Sequence, residues 1–502
     1  MTKSTAPFNQ YLLFIFILLS TIVKFYQIDY RSFSFDELYG VVASLEPNFD
    51  NYLDNWIRFD TNPPLYYFVL NIWLKIVPSN EFWVRLLSVL FILIASVIFI
   101  FGIKKRFENK AWFYLLLLVG ANFGFLFFGQ EARAYALLLL FICLQLLSFI
   151  DLLDTKHLKT FSKKLALFTI YTVLSCYSHY TGFIFSCILF LFLIAAHRKE
   201  KQILLRLFLS VISCMLLGLF WVHNFIFVFS IDKSFVINPT LSIIKEIVSM
   251  LLFGYTNIGK VLSILFILGL TFYFFGIIKE FKRLKISHQT ITILGILGLG
   301  IIVLSPIIPY FFQYRHYIFL IPILLLFFSL ILSRINFGSY TNNLLICLAI
   351  VIVCVQGLSL YKSKREEWRQ SVQYIVDANK NNKTTVIILG EPWQKMHSAY
   401  LKSDPGYLNV SIRRKSFYQY YFQRFDQKNH CELIVLRPDK KELENYISES
   451  LKKEDQVFLL SHAGEYQNKL KRLDLAKGIK VSEKKFYLHE VYQFTRVSNY
   501  EK

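Results

Sequence analysis

Residues 29–64 read DYRSFSFDELYGVVASLEPNFDNYLDNWIRFDTNPP, a polar stretch between two long apolar runs. It carries an acidic pair, Asp36 and Glu37, and a second acidic signal, Asp60-Thr61-Asn62-Pro63-Pro64. Carboxylates beside a bilayer are costly unless they meet water, a cation or a reacting group. Their position between two membrane-length runs predicts an outer loop with chemistry at a membrane surface, and a fold of spans built around it.

Composition agrees. The chain has 502 residues, 55% hydrophobic and 18% aromatic with 51 Phe and 30 Tyr, which is too apolar for a soluble protein of this size. Net charge is +21, but the lysines and arginines fall in short clusters between apolar runs and in the last third. Such clusters fix orientation against anionic headgroups, and nothing in them asks for nucleic acid. Six of the seven cysteines lie in apolar segments, so no disulfide framework is implied. No small-residue cleavage site follows the first apolar run, which reads as an uncleaved span.

A span needs about 20 mostly apolar residues. The first runs from Tyr11 to Ile28, leaving the cytoplasm from Lys3. After the loop, Leu65 to Val77 is short, carries Asn71 and Lys75 and ends at Pro78, which predicts a helix lying on the interface. Phe82 to Ile103 then runs inward to Lys104-Lys105-Arg106, as the positive-inside rule requires. The alternation continues with 112–128 out, 134–153 in, 165–178 out, 183–196 in, 203–229 out, 261–278 in, 290–308 out, 317–332 in and 344–360 out. A second interfacial helix is expected at 241–253. The result is a polytopic α-helical membrane protein of about eleven spans, amino end cytoplasmic and carboxyl end outside. The membrane domain is 1–360, its first outer loop 29–80.

From residue 361 to 502 the composition is that of a soluble α/β domain. Strands at 385–389, 432–436 and 456–460 alternate with helical patterns at 440–451 and 466–476, and 486–496 closes with one or two strands. There is no Gly-rich phosphate loop, no metal-ligand spacing and no repeat.

This topology gathers Asp36, Glu37, Asp60, Glu131, Arg133, His179, Tyr180, Arg315 and His316 on the outer side and the basic clusters on the other. A carboxylate at that boundary can take a proton from an attacking hydroxyl, a role that suits Asp36 or Glu37. A guanidinium grips phosphate bidentately and keeps its charge, which suits Arg133 or Arg315 to a phosphate leaving group. Each residue also has a plainer role: Asp36-Glu37 as a helix cap, Pro63-Pro64 as a helix start, Glu131 and Arg133 as a salt bridge, His179 as an interhelical bond, and Arg315 and His316 as interface anchors.

The order of these residues resembles membrane glycosyltransferases of the C-type fold, in the bacterial relatives of protein O-mannosyltransferases (glycosyltransferase family 39) and of the aminoarabinose and galacturonic acid transferases of lipopolysaccharide. The residues that carry it are Ser34-Phe35-Asp36-Glu37, Asp60-Thr61-Asn62-Pro63-Pro64-Leu65-Tyr66-Tyr67, Glu81 to Ser88 and Gln130-Glu131-Ala132-Arg133-Ala134-Tyr135. His179-Tyr180-Thr181-Gly182, Arg315-His316-Tyr317 and Trp368 to Ile375 are weaker echoes. The resemblance implies transfer of a sugar, with inversion, from a polyprenyl phosphate to a hydroxyl of a protein, lipid or glycan acceptor at the outer face of a bacterial inner membrane. By likeness Asp36 is the general base, Glu37, Asp60 and Glu131 line its pocket, and Arg133 and Arg315 contact phosphate. A divalent metal is left open as cofactor: some relatives hold one, and Asn62 stands where many have His. The rivals are a lipid-sugar flippase, which would set polar groups at mid-membrane depth, and a non-catalytic assembly protein.

Overall fold

The structure, a computed structural model, describes residues 8–226 apart from 61, 108, 109, 223 and 225; 242–267 apart from 255, 258, 262, 265 and 266; 285–362 apart from 308–312 and 336; and 366–496 apart from 380–382, 390–405, 427, 429, 437–439, 463–472, 474, 476 and 477. Numbered along the chain, the helices are α1 Gln10–Phe25, α2 Phe35–Ser44, α3 Leu65–Leu74, α4 Glu81–Arg106, α5 Ala111–Gly120, α6 Phe123–Gly129, α7 Tyr135–Leu153, α8 Leu158–Ser178, α9 Tyr180–Ala196, α10 Lys201–Gly218, α11 Ser242–Leu251, α12 Ile286–Leu304, α13 Ile321–Leu332, α14 Ser339–Lys362, α15 Trp368–Ala378, α16 Gly406–Phe425 and α17 Lys440–Lys453. The strands are β1 Thr384–Leu389, β2 Cys431–Leu436, β3 Gln456–His462, β4 Ile479–Phe486 and β5 His489–Arg496. Two compact units result: the first takes in Met1–Ile28, Ile57–Val228 and Val236–Ser363, the second Asp29–Trp56 and Lys364–Lys502. The division falls inside the loop that opened the sequence reading, so Asp36 and Asp60 belong to different units.

The first unit is helical. Among the described residues six stretches are long and apolar enough to cross a membrane: α4, α7, α10 with the turn to Trp221, α12, Tyr314–Leu332 and α14. The bent pair α5–α6 makes a seventh if counted as one span, and α1, α3 and α9 are shorter apolar helices. The protein is therefore a multi-pass membrane protein. The span expected at 261–278 and the helix expected at 466–476 fall largely outside the described residues. Exposed apolar side chains such as Phe208, Met215 and Phe220 are what lipid-facing surfaces require.

Hydrogen bonds between helix ends show which ends share a face. On one face the guanidinium of Arg106, ending α4, forks onto Asp151 near the end of α7, with Nε to Oδ1 at 2.8 Å. His197, following α9, meets the carbonyl of Leu152 at 3.1 Å, and the Asn9 amide donates to Asn343 Oδ1 at 2.7 Å. At the other ends, Gln130 Nε2 lies 3.1–3.2 Å from the carbonyls of Val23, Lys24 and Tyr26 at the end of α1. Arg85, fully buried, donates from Nη1 to the carbonyl of Ile28 at 2.7 Å. The basic clusters at 104–106, 156–164 and 197–199 thus lie at ends that share the first face, in agreement with the alternation read from their charge.

One span departs from the expected straight helix. The run read as 112–128 breaks at Ala121-Asn122, and α5 and α6 meet at a 49° bend. Backbone groups freed inside a membrane must find partners. Here Gln356 donates to the Ala121 carbonyl at 2.8 Å, the Phe123 amide donates to Leu252 at 2.8 Å, and Asn122 Oδ1 caps α6 through the Phe125 amide at 3.0 Å. An asparagine in a stretch of Leu and Phe is the sequence trace of that break.

The second unit holds a five-stranded sheet in the order β2-β1-β3-β5-β4. β1 is parallel to β2 and to β3, whereas β5 runs antiparallel to β3 and β4. A strand buried on both faces reads as a continuous apolar run, as TTVIIL of β1 does. On one face Ile387, Leu389, Val457, Leu459, Tyr492 and Phe494 pack with Leu443, Ile447 and Leu451, which recur every fourth residue along α17. On β5 the alternation turns His489 to the opposite face, where its ring meets Trp368 at 4.3 Å and Tyr418 at 6.0 Å. The hairpin is longer than the closing strands expected at 486–496, and α16 had no counterpart in the sequence reading.

Residues 29–44 pack against this domain. Arg369 donates to the carbonyls of Asp29, at 2.9 Å, and Tyr30; Ser32 Oγ donates to Gln370 Oε1 at 2.6 Å; and the Phe33 amide donates to the Tyr421 hydroxyl at 3.1 Å. Trp368, wholly buried, is ringed by Phe35, Phe417, Tyr418 and His489. Trp368→Ala is expected to lower the stability of this unit by about 3–5 kcal/mol, the usual cost of emptying a Trp-sized core position, read as a shifted thermal unfolding transition of the C-terminal unit.

Candidate functional site

In the first unit the site is built from Asp60. The Asp60 side chain closes an Asx turn: Oδ1 accepts from the Asn62 amide at 2.6 Å and from Asn62 Nδ2 at 2.8 Å. Pro63-Pro64 then start α3, whose first turn carries Tyr67, and the Tyr67 hydroxyl donates to the other carboxylate oxygen, Oδ2. Arg133, in the turn between α6 and α7, donates from Nη1 to the Tyr67 hydroxyl at 2.9 Å and stands 3.9 Å from Asp60 Oδ2. Tyr67 thus mediates between a buried carboxylate and a buried guanidinium, each about 9% exposed. Buried charges persist when paired and hydrogen-bonded. Glu131 lies half-buried in the same turn, where the Arg133 amide donates to its carbonyl at 2.9 Å.

Beside Arg133 stand two imidazoles and a second guanidinium. His179 sits at the break between α8 and α9, and its Nδ1 accepts from the Thr181 amide at 3.2 Å as the N-cap of α9. Gly182 makes that break possible, because a Cβ there would lie 2.4 Å from the Ser175 carbonyl oxygen. Burial first, then the fields of His316, Arg315 and Arg133, hold the His179 imidazole down to about 3. It is neutral at any working pH, with Nδ1 committed as an acceptor. The structure therefore places Arg133, Arg315 and His316 within electrostatic reach of His179, and Tyr180 within reach of Asp60. Arg315 and His316 lie on a 3-10 helix, Tyr314–Leu320, that packs on α7, α9 and α11. Guanidiniums of this kind suit an anion, and Arg133 and Arg315 both lie within reach of the His179 ring.

In the second unit the acidic pair divides its duties. Ser34 is the N-cap of α2, and its amide donates to Glu37 Oε2 at 2.8 Å while the Glu37 amide donates to Ser34 Oγ at 3.4 Å. That is a closed capping box, with Glu37 fully buried, so the helix-cap reading describes Glu37. Asp36 is only partly buried in the first turn, where the helix dipole favours its charge. Glu366 was missed in the sequence. Its carboxylate accepts from Trp368 Nε1 at 2.6 Å and from the Phe35 amide. Burial raises it to about 7, and the charges of Asp36 and Glu37 push the same way. Tyr67 was missed as a site residue too, though it stands in the quoted motif.

The donor set does not suit a divalent metal. Both oxygens of Asp60 are already engaged as acceptors, one of them by Asn62 acting as donor. Among the described residues no three His, Cys, Asp or Glu side chains are grouped to hold an ion.

No family model matches the chain, and no curated protein matches it in sequence. Its structure is similar to the crystal structure of ArnT from Cupriavidus metallidurans in the apo state, with a TM-score of 0.57 and 11% identity over 96% of this chain and 97% of that one. ArnT from the same organism bound to undecaprenyl phosphate gives a TM-score of 0.56 and 10% identity over 96% and 97%. The chain thus has the fold of these proteins.

Proposed function

We propose that the protein is a membrane glycosyltransferase of the C-type fold that moves a sugar from a polyprenyl phosphate to an acceptor hydroxyl. The observation that carries this reading is the buried Asp60–Tyr67–Arg133 assembly, away from the basic face, with Arg133 sharing the surroundings of His179 with Arg315 and His316. It is an anion pocket in a fold shared with a protein that binds undecaprenyl phosphate. Arg133 and Arg315 hold the phosphate and offset the charge it gains as its bond to the sugar carbon breaks. Asp36 takes the proton of the acceptor hydroxyl as that oxygen bonds to the same carbon from the opposite side, with inversion. Glu131 lines the donor pocket, and no step is routed through a metal. The topology that accompanies this reading has about eleven spans, with the amino end cytoplasmic and both the transfer chemistry and the 361–502 domain on the outer face.

The test is mass spectrometry of lipid extracts. Cells lacking the protein are expected to accumulate one prenyl-phosphate-linked sugar, and the gene supplied in trans clears it. Extracts that are identical with and without the protein would overturn the assignment. The same lipid merely redistributed between leaflets, with no glycosylated product, would indicate a flippase.

A further inference from the structure

Glu366 has a place in the second unit that the assigned chemistry does not use. It lies just ahead of α15, in a segment clasped to the first loop by Arg369 and Gln370, with its carboxylate drawn in beside the start of α2. Two N–H donors converge on it, Nε1 of the caged Trp368 and the amide of Phe35, the residue directly before Asp36. We propose that Glu366 is a positioning residue for the transfer step, tying the first turn of α2 to the Trp368 cage and setting, through its charge, how strongly Asp36 attracts a proton. The inference rests on Asp36 being the base.

The physical case is one of neighbours. Two carboxylates within reach of each other titrate as a coupled pair, and the charge of one makes the other a stronger base. Among the described residues the ionisable groups that face Glu366 are Asp36 and Glu37 on α2; Glu367 and Arg369 follow it along its own segment, and His489 on β5 backs the Trp368 ring. Arg369 is engaged with the carbonyls of Asp29 and Tyr30, and Glu367 accepts from the Tyr487 amide at 2.6 Å. Glu366 is the carboxylate of this set held against the backbone of the residue next to Asp36. Because it is held near 7, its charge appears within the working range of an enzyme, and the rate should rise as it ionises.

The test uses the full-length protein added to membrane vesicles from cells that lack it, with loss of the accumulated prenyl-linked sugar followed by mass spectrometry between pH 5.5 and 9. The wild-type rate is expected to show an inflection near pH 7. Glu366→Gln keeps an acceptor for both N–H groups but no charge; it should lower the rate about tenfold at pH 8 and abolish the inflection. Trp368→Phe keeps the carboxylate and removes one donor to its charged form, so it should move the inflection to higher pH. Either variant with the wild-type profile would overturn the role of Glu366. An Asp36→Asn variant that still transfers would overturn the base assignment instead, so the two failures are distinguishable. If Glu366→Gln does not fold, Trp368→Phe alone decides.

Discussion

On the proposed function, Asp36→Asn is expected to lower sugar transfer by about 10²–10⁴-fold, the range of a lost general base, while leaving the unfolding transition of the protein nearly unchanged. The substitution changes little else. Asn has the volume of Asp and is accepted at the start of a helix, so α2 loses only the modest benefit of a negative charge near its amino end. The neighbouring acid gives the opposite pattern. Glu37 closes the capping box with Ser34, so Glu37→Ala opens that box and costs about 1 kcal/mol of stability, with a smaller loss of rate than Asp36→Asn. Rates and melting curves of both variants, measured side by side, decide the matter. Equal losses of rate would mean that the two carboxylates act as one unit, and an active Asp36→Asn would remove the base.

Arg133→Ala is expected to do two things at once. On the proposed function it removes a guanidinium assigned to the leaving phosphate, and the rate should fall by about 10²–10³ as for a single preorganised donor. It also strips a buried carboxylate of its nearest cation, and breaking such a pair costs about 3–5 kcal/mol because Asp60 is left uncompensated. The two effects separate in a double variant. Arg133→Ala with Asp60→Asn should regain most of the stability, since neither charge is then left alone, but none of the transfer. Arg133→Lys keeps the charge without the fork and should fall between. Binding of undecaprenyl phosphate to the purified variants, followed by native mass spectrometry, reports the anion role directly, and undiminished binding in Arg133→Ala would exclude it.

Much of the membrane unit was legible because bilayers impose simple rules. Apolar length located most of the described helices, and charge grouped some of their ends: Lys104-Lys105-Arg106 and the 197–199 cluster lie at ends that share a face. Of the polar residues singled out, Arg133, Arg315 and His316 lie within electrostatic reach of His179, and Asp60 stands beside Arg133. What sequence order could not convey was the division of labour within each motif. In Gln130-Glu131-Ala132-Arg133, Gln130 seals the end of α1 while Arg133 enters the pocket, and only three-dimensional reach separates the two. Asn122 was hidden because one polar residue in an apolar run still averages as a span. Glu366 was invisible for a different reason: Glu366-Glu367 looks like any solvated acidic pair until the backbone of Phe35 arrives from far away in the chain. In α16 the aromatic stripe Phe417, Tyr418, Tyr421, Phe422 and Phe425 has helical spacing, but it is short and built of residues that favour strands, and it was passed over.

The clasp between the first loop and α15 also sets a schedule for biosynthesis. Ser32 and its partner Gln370 are 338 positions apart in the chain. At roughly 5–20 residues per second, a ribosome needs on the order of 20–70 s to deliver the second after the first. Throughout that interval the newly inserted spans carry a loop whose hydrogen-bonding partners are not yet made, and nearly three-quarters of the polypeptide must emerge before the clasp can close.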